Sequence, residues 1–164
     1  MKALEPPDSF FVQAARCWLE SGKYDAAKEE LERVAKKLHS HPDVLEVRWA
    51  VEAQSKNWPA CLELAEAIVT VAPERPTGWI KRSFVLDRLK RTQEALDHLF
   101  PAAEKFSRIP IIAYNLACYA ARVDCWWEAE RWLKQALEVG GNRYKKLALR
   151  EQAFKPLWQK IAAL

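Results

Sequence analysis

Glycine is scarce. Only four occur in 164 residues, at Gly22, Gly78, Gly140 and Gly141. A loop that cradles phosphate through its backbone needs more small residues than that in one place. No GxGxxG, GxxxxGKS/T or GxSxG pattern occurs either, so nucleotide-binding loops and a nucleophile elbow are excluded. Histidine is rarer still. His39 and His41 stand close to Asp43, but a third ligand at metal-site spacing is missing, and His98 stands alone, so no metal is expected. Cys17, Cys61, Cys118 and Cys125 form no CxxC pair and read as buried free thiols of a reducing compartment. No apolar run approaches the ~18 residues of a membrane span, and the opening "MKALEPPDSFF" lacks the apolar stretch of a secretory signal. A cytoplasmic protein without membrane contact is expected. The carboxylates of Glu29, Glu30 and Glu32 read as a solvated helix face, not as an acid–base pair. No catalytic residue and no cofactor are expected.

What the chain does have is a period. Ala27, Cys61, Ala95 and Ala129 are small and stand thirty-four residues apart. Leu31, Ala65, Leu99 and Leu133 repeat at the same step, as do Val34, Ile68, Ala102 and Ala136. Pro42, Pro76 and Pro110 mark the seams, and Tyr24, Trp58, Thr92 and Trp126 form a mostly aromatic column. A fixed period of this length marks a stacked repeat protein. Small residues recur where two helices approach closely, and larger apolar ones recur where each unit buries itself on the next. Aromatic residues at 11% and apolar residues at 50% supply a core and exclude a disordered chain.

On these residues the chain resembles the tetratricopeptide repeat family. The best unit, "YNLACYAARVDCWWEAERWLKQALEVG" from Tyr114 to Gly140, supplies Leu116-Ala117, Trp126, Ala129, Leu133 and Ala136. The first unit supplies Ala14-Ala15, Gly22, Tyr24, Ala27 and Leu31. The middle units depart from the pattern. Arg48-Trp49 and Arg82-Ser83 replace a large–small pair, and Lys56, Lys90 and Asp124 stand where a turn glycine is common. The resemblance implies an all-α fold, a right-handed superhelical solenoid of antiparallel helix pairs. It would be one domain over 1–164, with repeats at about 8–41, 42–75, 76–109 and 110–143 and a C-terminal cap at 144–164. It also implies a concave face that binds peptides or partner helices. One subtype clamps the C-terminal carboxylate of chaperones. The places it uses read here Val12 and Arg16, then Val47, then Thr77 and Lys81. Only Lys81 keeps a suitable charge in the third unit, so that clamp is not expected.

The first helix of each pair is expected near 8–21, 43–55, 76–89 and 110–123. The second is expected near 24–38, 59–71, 92–106 and 127–139. The seam prolines suit first-turn positions, where no backbone donor is lost. Leu147, Leu149, Phe154, Leu157, Trp158 and Ile161 can cover the apolar end of the last repeat, with Pro156 opening a short final helix. Arg48 and Arg82 occupy a usually apolar place. Buried arginines need acids, so an ion pair across adjacent repeats with Glu46, Glu52 or Asp87 is expected.

Charge is uneven. Residues 1–74 hold nine basic against thirteen acidic side chains, and residues 75–164 hold seventeen against nine. Arg143 to Lys160 carries six basic residues against Glu151. Such a balance favours acidic partners and lets one molecule's basic end meet another's acidic end. Helical spacing places Val12, Arg16, Glu46, Lys81, Phe84, Arg88, Tyr114, Asn115 and Arg122 along the expected groove. Within it, Lys81 pairs with Asn115 and Arg88 with Arg122 at the repeat interval. The leading reading is a non-catalytic adaptor that holds an acidic peptide or helix there. The alternatives are a chaperone for a secreted or insoluble client and, behind it, nucleic-acid binding through the basic C-terminal half, which shows no one-base-per-repeat code.

Overall fold

The computed structural model describes residues 3–163; Met1, Lys2 and the last residue of the expected cap, Leu164, lie outside them. The described chain holds no strand. In order come α1 (Asp8–Glu20), α2 (Tyr24–Arg33), α3 (Pro42–Gln54), α4 (Trp58–Val71) and α5 (Pro76–Arg88). Then follow α6 (Thr92–Lys105), α7 (Pro110–Arg122), α8 (Trp126–Gly140), α9 (Asn142–Ala148) and α10 (Trp158–Ala163). Two 3-10 segments, Lys36–Leu38 and Gln152–Leu157, interrupt the series. The chain divides into two compact units, one ending at Val85 and the other beginning at Leu86.

In the first unit α1 packs on α2, α3 packs on α4, and α3 contacts both α1 and α2. Val12, Ala15, Ala27, Leu31, Val34, Val44, Val47 and Val51 form the buried cluster among these helices. In the second unit α7 packs on both α6 and α8, and the second 3-10 segment packs on α7. All twelve residues of the three periodic registers are buried, including Cys61, Ala95 and Ala129 of the small one. A bulky side chain at Ala27, Ala95 or Ala129 would overpack the buried contact between helices.

The turns follow the same period. Gly22 takes φ +72°, and Lys56, Lys90 and Asp124 take φ of 56°, 64° and 60°. The backbone therefore needs the left-handed conformation once per unit, and three of the four units reach it without glycine, at a steric cost. Pro42, Pro76 and Pro110 each open a helix, as their fixed φ and missing donor favour. Gly78 serves a different need. A Cβ there would sit 2.8 Å from Ile68 Cγ2 and 3.0 Å from the Val69 backbone nitrogen, so its absence lets α5 lie against α4.

Two boundaries differ from expectation. The second helix was expected to reach residue 38 and stops at Arg33. Val34 turns to extended backbone at φ −64°, ψ 134°. The Ala35 amide then donates to Asp8 Oδ1 at 2.7 Å, a partner on α1 that a local reading does not contain. Pro156 lies inside the second 3-10 segment and does not open α10. The cap is built on Ala148, Phe154 and Ile161, which are buried, whereas Leu147 stands 39% exposed and is no part of that core.

Candidate functional site

Val12 belongs to the core of the first unit, not to a surface. It is 4% exposed and lies on the same buried stripe of α1 as Ala15. Apolar packing wins that position. Among the described residues, the charged and aromatic residues of the expected groove then separate into one group in each unit.

In the first unit the acids are engaged. Arg75 Nη1 donates to Asp43 Oδ1 at 2.6 Å and reaches Glu46 Oε1 at 3.7 Å. Thr77 Oγ1 donates to Glu46 Oε1 at 2.7 Å. These bonds tie the start of α5 to α3. Along α5, Lys81 sets its ammonium 3.7 Å from the ring centroid of Trp49, a contact in which the π face stands in for a counter-ion. Phe84 meets Trp49 and Trp58 edge to face, with centroids 6.3 and 6.0 Å away. Burial pulls Lys81 down to about 8, against the opposing pull of Glu46, and Arg16 pushes it the same way. Burial pushes the neighbouring Cys61 thiol up to about 11, so it is a packed group and no nucleophile.

In the second unit Arg122 donates to Asp87 Oδ2 and, at 3.2 Å, to Glu151 Oε1 of the cap. Tyr114 stacks edge to face on Tyr144 and Phe154, with centroids 5.4 and 6.0 Å away. The cap therefore lies against α7 through one carboxylate and two rings. Burial raises both the Tyr114 hydroxyl and the Cys118 thiol, the latter to about 12. Asn115 is half-buried on α7, and Arg88 is exposed at the end of α5.

Of the arginines at the repeat interval, Arg48 finds other partners than expected. Arg48 Nη2 bonds His39 Nδ1 at 3.1 Å and reaches Glu32 Oε1 at 4.0 Å. It does tie the first pair to the second, but through α2 and the connector, not through Glu46 or Glu52. Arg82 lies over the Trp79 ring at 5.1 Å, and burial lowers it against the pull of Glu66. Of the cysteines, Cys17 is exposed, which the buried-thiol reading did not foresee; all four are free.

Sequence reasoning missed Trp49, Arg75 and the Glu151, Tyr144 and Phe154 of the cap as site residues. Trp49 carried a signal, since it is a large residue in a normally small place. Arg75 carried none, because its partner Asp43 lies thirty-two residues back along the chain. No group of three or more potential metal ligands occurs among the described residues. No helix among them is long and apolar enough to cross a membrane.

Helices joined by tight left-handed turns, packed in sequence through small residues and closed by a cap, define a tetratricopeptide-type helical solenoid. Comparison with solved structures agrees. MamA residues 41 to the end from Desulfovibrio magneticus RS-1 superposes with a TM-score of 0.78 at 13% identity, over 98% of this chain and 92% of that one. A MamA crystal structure gives 0.75 at 14% identity, over 95% and 86%. PilF of Pseudomonas aeruginosa gives 0.78 at 16% identity, over 95% and 72%. At such identities the likeness is one of fold. No protein-family model matches the sequence, and no curated protein matches it.

Proposed function

We propose that this chain is a non-catalytic interaction scaffold of the cytoplasm whose first-of-pair helices hold an acidic peptide or helix of a partner protein. One observation supports it most. The face of α7 already holds a non-repeat segment, with Glu151 on Arg122 and Phe154 on Tyr114. A helix face of this type thus accepts a carboxylate and an aromatic ring together. The fold it shares with MamA and PilF is compatible with such a role.

Selection of peptides from a random library on the full chain tests the reading. Enrichment of acidic sequences, with affinities that fall moderately between low and physiological salt, is the expected result. A library that yields no binder, or only basic ones, would remove the proposal.

A further inference from the structure

The first unit carries donors that no acceptor meets. Among the described residues, Lys81 has the Trp49 ring as its partner and no carboxylate within ion-pair range. Arg16 is half-buried and has no hydrogen bond or ion pair among them. The indole nitrogen of Trp49 is buried with no acceptor. A buried donor left unmade is costly, and two neighbouring cations add their own repulsion. The nearby acid offsets this only in part, because Glu46 is already held by Thr77 and Arg75. Beside these donors lie the rings of Phe84 and Trp58.

The cap shows what satisfies a comparable face. On α7 one arginine takes Glu151 and one tyrosine takes Phe154, a carboxylate followed one turn later by an aromatic ring. We propose that Arg16, Trp49, Lys81 and Phe84 form a receptor for a partner peptide of that chemistry: a glutamate or aspartate with an aromatic residue three positions on. The carboxylate takes the donors of Lys81 and Arg16, and the ring joins the edge-to-face cluster of Trp49, Phe84 and Trp58. This rests on the scaffold reading above and names the partner class of the first unit.

The probe is a blocked six-residue peptide copying residues 150–155, Arg-Glu-Gln-Ala-Phe-Lys, titrated into the full chain. The readouts are the Trp49 indole N–H resonance, assigned with Trp49→Phe, and the dissociation constant. A shift of that resonance is expected. Replacing the peptide's Glu by Gln, or its Phe by Ala, should weaken binding about 10-fold or more. Lys81→Gln and Arg16→Gln should each do the same while thermal melts show a folded protein. Since burial sets Lys81 at about 8, affinity should decline above that pH, and Lys81→Arg should retain it to higher pH. If library-selected acidic peptides bind but ignore Lys81→Gln and Arg16→Gln, this receptor is refuted and the scaffold reading stands. If no acidic peptide binds anywhere, both fall. An unmoved Trp49 resonance with the copied peptide at millimolar concentration also overturns the receptor.

Discussion

At the scale of single residues, geometry fixes one tautomer. Arginine only donates. His39 Nδ1 faces Arg48 Nη2, so that nitrogen must accept, and Nε2 must carry the proton donated to the Val34 carbonyl at 3.0 Å. Nitrogen-resolved NMR should find the Nε2-protonated tautomer of the His39 ring. His39→Ala strands the Val34 carbonyl and removes one Arg48 bond, and it should cost about 1–3 kcal/mol. An unchanged melting temperature would show that the connector is held by other contacts. The left-handed turns give a prediction of opposite sign. Lys56→Gly and Lys90→Gly relieve a conformation that costs about 1–2 kcal/mol without glycine, partly offset by glycine's larger unfolded entropy. Each should raise the melting temperature by a few degrees, and a fall in both would contradict the backbone assignment. Lys81 links stability to pH. Its folded value of about 8 lies below the ordinary 10.5, so the unfolded chain binds that proton more tightly. Folding is therefore opposed below pH 8, and the opposition fades as pH rises toward 10.5. Wild type should gain stability relative to Lys81→Met across that window; a constant difference would remove the linkage.

Elements were legible where a short-range period decided them. The prolines at α3, α5 and α7 and the small column at Ala27, Cys61, Ala95 and Ala129 were readable because the same local demand recurs every thirty-four residues. The end of α2 was not, because a hydrogen bond from Ala35 to Asp8, twenty-seven residues away, overrides helix continuation. Arg75 and Glu151 were hidden for the same reason, since their roles are set by long-range partners. The buried Val12 shows the converse, a helix-face assignment that erred by one stripe. Gly78 tests the packing of an element directly. Gly78→Ala adds a carbon 2.8 Å from Ile68, and overpacking of this kind typically costs about 1–3 kcal/mol. A neutral substitution would mean that α4 and α5 are free to part. The cap should be an equal part of the second unit. Phe154→Ala removes a fully buried ring and should cost about 3–5 kcal/mol, exposing apolar surface that binds a hydrophobic dye. A stable, dye-silent variant would make the tail an arm and not a lid.

For the whole molecule, helices that contact chiefly their chain neighbours imply stability that is local. In repeat architectures stability is close to a sum of unit terms and nearest-neighbour terms, so damage need not spread evenly. Two compact units in this chain give that idea a sharp form. Leu116 is fully buried in α7, and Val51 is buried in α3. Leu116→Ala should remove about 2–5 kcal/mol, as large-to-small core changes do. Native-state hydrogen exchange should then accelerate by an order of magnitude or more across α6 to α8, with a much smaller change across α1 to α4. Val51→Ala should reverse the pattern, with α1 to α4 losing protection first. The peptide receptor on α1, α3 and α5 would consequently survive Leu116→Ala under conditions where the cap begins to open, and binding of the acidic probe should persist there. Uniform loss of protection from either substitution would show a single cooperative unit. In that case the two faces, one filled by the cap and one offering unmet donors, could not be tuned separately.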